Sequence, residues 1–173
     1  MRKLRPLDKK ILLELMKNAR ISDRKMAKIL DVSQATISRR RASLERELID
    51  GYTAIPKWSE LGYEILAITL VKTPLKFASD EKTKDATNRS MKWLANQPNV
   101  IMGSVCRGMG MTGMMISLHK TYADFDEFLN NHREQLGDLL EDVQTIIVNL
   151  SGKWVNRPFH LKYLTEAEET SED

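Results

Sequence analysis

From Ser33 to Arg46 the chain sets hydroxyl, small and guanidinium side chains at helical spacing, Ser-Gln-Ala-Thr-Ile-Ser-Arg-Arg-Arg-Ala-Ser-Leu-Glu-Arg. The chemistry these groups can do is recognition: guanidinium groups bind phosphate and the acceptor edge of guanine through paired hydrogen bonds. On a helical wheel Ile37, Leu44 and Leu48 share the face that must dock on other helices. Ala35, Ser38, Arg39 and Ala42 fall opposite. Small residues there let the backbone sink into a major groove, and Ser38 and Arg39 can reach base edges. Gln34, near the N-terminal end, is a further candidate reader. Ser33 and Thr36 are placed to bond phosphate beside the positive helix terminus. Arg40 and Arg46 flank the stripe and are expected to meet phosphates. Arg41 sits beside the apolar face and is expected to carry its guanidinium out to the surface. An arginine-rich helix alone is usually a solvated face; small residues, a serine cap and a short basic helix before it together favour DNA.

The elements that must position this helix precede it. Leu7, Ile11, Leu12, Leu15 and Met16 recur at helical spacing, and Ser22 can cap a second, short helix with Met26, Ala27, Ile29 and Leu30 as its apolar face. Asp31-Val32 makes a tight break, and Ser33 caps the third helix, which runs through Glu47. Helix, tight turn, helix of this size is helix-turn-helix geometry, in which the second member reads DNA. Charge follows the same division. Residues 1–57 hold 15 Lys and Arg against 7 Asp and Glu, whereas residues 58–173 hold 12 against 17, within a net charge of +3. An electropositive module is thus joined to a mildly acidic one.

Asp50 to Pro56 reads as a turn followed by a short extended connector or small wing, with residues 58–63 as a linker. A second domain is expected over residues 64–152. Its strands are predicted at 64–72, Val100–Arg107, Met111–His119 and Val143–Leu150. A helix carrying Met91, Trp93, Leu94 and Ala95 and another over Thr121–Gln135 lie between them. The order strand-helix-strand-strand-helix-strand is the split βαβ, ferredoxin-like plan. The fold class expected is therefore α+β, a three-helix (winged) helix-turn-helix in residues 1–57 followed by a ferredoxin-like domain. Two helices cover one sheet face, and the other, left apolar, predicts a homodimer. Residues 153–173 form a C-terminal extension: Trp154, Val155, Phe159 and Tyr163 are expected to pack, and Glu166–Asp173 to be a disordered acidic tail.

Other chemistries find less support. No apolar run approaches a membrane span, the chain opens without a secretory leader pattern, and Cys106 is the single cysteine. A cytoplasmic protein is expected. His119, His132 and His160 lack metal-ligand spacing with Cys106, so neither metal nor cofactor is expected. Met102, Met109, Met111, Met114 and Met115 could bind a soft metal, but adaptable packing is the commoner use of thioethers.

Residues 7–62 resemble the leucine-responsive/asparagine-regulator (Lrp/AsnC) family closely and in order. The resemblance is carried by Leu7-Asp8 with Ile11-Leu12, Asn18-Ala19-Arg20-Ile21-Ser22, Ala27-Lys28-Ile29-Leu30, Val32-Ser33, Thr36-Ile37, Arg39-Arg40, Leu44-Glu45, Gly51-Tyr52-Thr53-Ala54 and Leu61-Gly62. Over 64–150 it rests mainly on element order. It implies a non-enzymatic, sequence-specific transcription regulator that binds double-stranded DNA. It also implies dimerisation through the C-terminal domain, assembly of dimers into octamers, and response to a small-molecule effector such as an amino acid.

The chain departs from that family at three places. Arg41 stands where the family has an apolar residue, the third helix ends without the usual glycine, and the effector motif is changed. The family's amino-acid binders carry Gly-x-x-Asp after the second strand. Here the candidate effector loop is Gly108-Met109-Gly110-Met111-Thr112-Gly113, with no aspartate. An ammonium acceptor is missing, which predicts weakened, retargeted or absent amino-acid sensing. Two other readings use the same elements. The chain is also similar to siroheme decarboxylases, a reading that would recruit Arg107, His119 and His132. A nucleoid-organising protein would use the same helices with little sequence preference.

Overall fold

The computed structural model describes residues 4–73, 80–152, 155 and 157–170; Ser79, Trp154 and the last three residues fall outside that set. The chain divides into two compact units, one formed by Met1–Ile55 with Arg157–Asp173, the other by Pro56–Asn156.

The first unit contains α1 (Pro6–Lys17), α2 (Asp23–Ile29) and α3 (Gln34–Glu47). Pro6 opens α1, where its fixed φ suits a helix and its missing N–H costs no hydrogen bond. Ser22 Oγ accepts from Lys25 N–H at 3.2 Å and caps α2. Between α2 and α3 the backbone turns through Asp31 at φ 51°, a left-handed conformation that aspartate tolerates better than most residues. Ile11, Met26 and Ile37, one from each helix, are fully buried, and Leu15, Ile21, Ala27 and Leu44 close the core around them.

Two expected core residues lie outside it. Ile29 and Leu48 are each half exposed. Leu48 is the C-cap of α3 with φ −143°, so the chain has left the helical path, and Ile49 packs against the core in its stead. Residues 51–57 carry no strand, so this stretch is a connector.

The acidic tail also differs from expectation. Lys162–Thr170 forms a helix, α6, which packs against α1. Arg157 explains part of this order: its guanidinium stacks on Tyr163 at 3.9 Å and donates to Glu166 Oε2 at 3.1 Å. Thr165 is buried beneath.

The second unit contains β1 (Ile65–Lys72), α4 (Asp80–Ala95), β2 (Val100–Gly108), β3 (Met111–His119), α5 (Tyr122–Leu136) and β4 (Asp142–Asn149). All sheet pairings are antiparallel, in the order β2-β3-β1-β4. This is the ferredoxin-like plan, with α4 beginning earlier than its apolar residues suggest. Thr121 caps α5 through a reciprocal pair: Asp124 N–H donates to Thr121 Oγ1, and Thr121 N–H to Asp124 Oδ2, both at 3.1 Å. Alternate residues of β1 (Ile65, Ala67, Thr69) are buried on the helix side. Above them lie Phe125, Phe128, Trp93, Met115 and Leu136. On the other face Met102, Ile116, Ile68 and Ile146 line up across the four strands, and Met102 and Ile146 remain about half exposed.

Two histidines sit inside this core. His119 pairs Nε2 with Ser117 Oγ at 2.8 Å and packs on Phe125 and Phe128. His132 stacks on Trp93 with ring centroids 4.9 Å apart. Burial holds both below the ordinary imidazole range, His132 at about 4. Both are therefore neutral in the fold, while an unfolded histidine takes up a proton below about 6.5. Stability should be full above that value and fall as pH drops from there toward 4. Urea unfolding of the whole chain is expected to show a midpoint that declines between pH 7 and 5, and less steeply in His132→Phe. A midpoint independent of pH would contradict this.

Candidate nucleic-acid interface

Because Ile37 and Leu44 are held in the core, the rotation of α3 about its axis is fixed. Its opposite side presents Gln34, Ala35, Ser38, Arg39 and Ala42, all exposed. Ser33 caps the helix: its Oγ accepts Thr36 N–H at 3.2 Å and lies 2.8 Å from Thr36 Oγ1. Both hydroxyls predicted to meet phosphate are thus gathered at the positive end of α3. On α2, Arg24, Lys25 and Lys28 are exposed.

The arginines of α3 divide sharply. Arg39 is exposed and makes no hydrogen bond or ion pair among the described residues. Arg46 is 72% exposed in its side chain and donates to its neighbour Glu47 Oε1 at 3.0 Å. Arg40 differs from its flanking role. It turns back toward α1, with Nη1 3.8 Å from Asp8 Oδ2, while Arg40 Nε and Asp8 Oδ1 are buried without partners. Ser38, expected among the base readers, donates from Oγ to Asp23 Oδ2 at 2.6 Å.

Arg41 does not carry its charge out to solvent. Its Nε donates to Glu45 Oε1 at 2.9 Å, Nη1 to Ile21 O at 3.0 Å and Asp23 Oδ1 at 3.2 Å, and Nη2 to Ala19 O at 3.3 Å. The Tyr52 ring lies 5.6 Å away, and its hydroxyl donates to the same Glu45 oxygen at 2.8 Å. Burial opposes the guanidinium charge, but hydrogen bonds with Glu45, Tyr52 and Asp23 outweigh it, so its pKa is raised. The Tyr52 hydroxyl, and then Arg41, hold the Glu45 carboxyl below its ordinary value.

One side chain therefore ties the turn before α2, the first residue of α2, α3 and the connector. Sequence reading placed Arg41 near the apolar face but missed this role. The available signal was Glu45 four residues on, a spacing that brings opposite charges together on a helix.

The candidate effector loop is a hairpin. Gly108 pairs with Met111, and the two residues between them, Met109 and Gly110, have φ 53° and 76°, as a two-residue turn of this hand requires. Met111, Thr112 and Gly113 belong to β3. Thr112 Oγ1 accepts Thr73 N–H at 3.0 Å. The methionines spread out: Met111 and Met115 are buried, Met102 is half exposed and Met109 lies on the turn. Arg107 is on the exposed edge strand, while His119 and His132 are enclosed, so these three do not form one polar cluster. Among the described residues no three His, Cys, Asp or Glu side chains are grouped to hold a metal. No described helix is long and apolar enough to cross a membrane.

Removing the Arg41 guanidinium and removing that of Arg39 should have opposite consequences. Arg41→Ala is expected to cost about 1–3 kcal/mol by urea unfolding, since charge-assisted hydrogen bonds are lost. Arg39→Ala should stay within about 0.5 kcal/mol, as surface changes do. Equal losses would refute the division.

Comparison with known proteins agrees with this geometry. The model of the AsnC-type helix-turn-helix domain matches residues 6–45, from α1 into the last turn of α3. An uncharacterized HTH-type transcriptional regulator of Pyrococcus abyssi is 43% identical over 67 residues, 38% of this chain and 46% of the relative. The chain thus spans less than half the length of that relative. The HTH-type transcriptional regulator LrpA of Pyrococcus abyssi is 36% identical over 101 residues, 57% of this chain and 72% of LrpA. Among solved structures, the L-Met complex of the transcriptional regulator NMB0573 from Neisseria meningitidis superposes with a TM-score of 0.74. At 17% identity, over 94% of this chain and 99% of that one, the likeness is one of fold. The identity to LrpA, the domain match and the ferredoxin-like second unit lead to one conclusion: the chain belongs to the Lrp/AsnC family.

Proposed function

We propose that this protein is a sequence-specific, DNA-binding transcription regulator of the cytoplasm that reads two half-sites as a homodimer and responds to a small-molecule effector. One observation carries the reading. Among the α3 arginines, Arg39 is left without a partner among the described residues, and it stands on a stripe of small residues, Ala35 and Ala42, that lets the helix approach a groove. Arg39 then pairs with a base edge, Gln34 reads beside it, and Arg46 with the basic residues of α2 meets phosphates. Arg40, Arg41 and Ser38 serve the fold of the reader, with Ser33 and Thr36 at its phosphate-facing end.

The homodimer follows from the open sheet face. The row Met102, Ile116, Ile68, Ile146 is apolar across every strand, and its outer members Met102 and Ile146 stay about half exposed. A second copy covers it by two-fold symmetry, in which the same patch serves both partners. Two reading helices then fall about one DNA turn apart, or a multiple of it. The effector reading draws on the methionine complex of the Neisseria regulator, which shares the fold.

Sequencing of DNA fragments retained by the purified protein at near-physiological salt is expected to return a shared pseudo-palindromic motif. On such a fragment Arg39→Ala should lose the preference for it over random DNA. Arg46→Ala should weaken both alike and reduce the salt slope by about one. Equal losses on both DNAs for both variants would refute the assignment. For the assembly, Ile146→Glu should sediment as a folded monomer; an unchanged dimer would exclude this face.

A further inference from the structure

Behind the hairpin, on the helix side of the sheet, α4 and the β2-β3 edge enclose a cleft of about 370 Å3. That is within the range of roughly 300–1,000 Å3 typical of small-molecule sites. Its walls are Met91, Trp93, Leu94, Val105, Met115 and Leu136. Thr87, Ser90 and Ser104 supply hydroxyls, and no Asp, Glu, Lys or Arg is among the described residues that line it. Two glycines shape its floor. A Cβ on Gly103 would stand 3.2 Å from Leu94 Cδ1, and one on Gly113 would stand 2.9 Å from Val71 Cγ2. At both positions a neighbouring side chain, Leu94 of α4 or Val71 of β1, occupies the space a β-carbon would need. Of the expected effector residues, Thr112 and Gly113 border the cleft and Gly108 to Met111 do not.

His132 lines the cleft and is 3% exposed, with Nδ1 buried and lacking any hydrogen-bond partner. An unpaired buried polar atom is costly, and a bound group that pairs with it recovers that cost. Burial keeps this imidazole neutral at physiological pH. Among the described residues the cleft therefore offers apolar walls, hydroxyls, one neutral ring nitrogen and no compensating charge. A free amino acid brings an ammonium and a carboxylate, each expensive to bury without an opposite charge or several hydrogen bonds. Such a ligand fits the cleft badly.

We infer that this cleft is the effector site, and that it takes an uncharged, largely apolar small molecule bearing a hydrogen-bonding group for His132 Nδ1. This deepens the effector reading above and rests on it for the regulatory consequence; binding itself is independent of DNA. Sensing is thereby retargeted from zwitterions to neutral compounds.

Indole and L-tryptophan form a matched pair of probes, sharing a ring and differing in the charged group. Each is titrated into the full-length protein while the Gly103 and Gly113 amides and the Trp93 indole N–H are followed by NMR. Indole is expected to shift these resonances saturably, and L-tryptophan at the same concentrations to leave them in place. His132→Phe, which keeps the aromatic packing and removes the nitrogen, should weaken indole about tenfold. Ser90→Phe, which fills the cleft from α4, should abolish the shifts. Equal response to both probes, response to neither, or indole binding unchanged in both variants would overturn the inference. Because no DNA enters the titration, its failure would leave the operator reading intact, and a failed operator selection would leave the cleft intact.

Discussion

The helix-turn-helix unit depends on how firmly α2 and α3 hold their mutual angle, and the Arg41 guanidinium ties the two together. Among the described residues the core there has seven buried apolar side chains, with Leu7, Leu12, Leu30, Val32 and Ile49 packed against them, a small core for three helices. A core of that size leaves little stability in reserve. Arg41 adds hydrogen bonds to two backbone carbonyls and two carboxylates at the point where the chain enters α2. Asp23 is shared between Arg41 and Ser38, so the same carboxylate fixes α3 at two successive turns. With the angle held by these side chains, Arg39 is not needed for the fold and stays available to a ligand. Arg40, drawn toward Asp8, is a second brace on the α1 side.

The second unit shows the complementary strategy. Its central strands carry alternating residues, with the helix-facing set sealed by Phe125, Phe128 and Trp93 and most of the other set only partly buried. An apolar sheet face of this kind is the sort of surface that a partner covers. On the sealed side, the close approach at Gly103 and Gly113 leaves room for a cleft beside a neutral histidine. The free guanidinium of α3, the apolar row of the sheet and the cleft are thus each defined by side chains that the fold leaves unsatisfied.

Much of this was legible in the sequence, and the unread parts have physical reasons. The strands of the second domain follow β-branched runs, and β3 was placed at Met111–His119 to the residue. The caps at Ser22, Ser33 and Thr121 mark helix starts because their hydroxyls accept N–H groups three residues on. The wheel of α3 separated Ile37 and Leu44 from Ala35, Arg39 and Ala42 correctly. It failed at Leu48, since a helical wheel continues past the point where the backbone leaves the helix. Pairings between distant residues, such as Arg41 with Asp23, are invisible to periodicity. The α6 helix was missed because its acidic composition resembles a solvated tail, while its order draws on Arg157 and packing against α1. The effector residues were read as one loop, although a two-residue turn and a strand divide them.

Methylation protection on a selected DNA fragment tests the central claim most directly, since dimethyl sulfate reports guanine N7 in the major groove and adenine N3 in the minor groove. Wild-type protein is expected to shield guanine N7 atoms in two clusters about one turn apart or a multiple of it, and Arg39→Ala to restore their reactivity. Reactive guanine N7 atoms throughout, or shielding unchanged by Arg39→Ala, would show that α3 is not the reading helix.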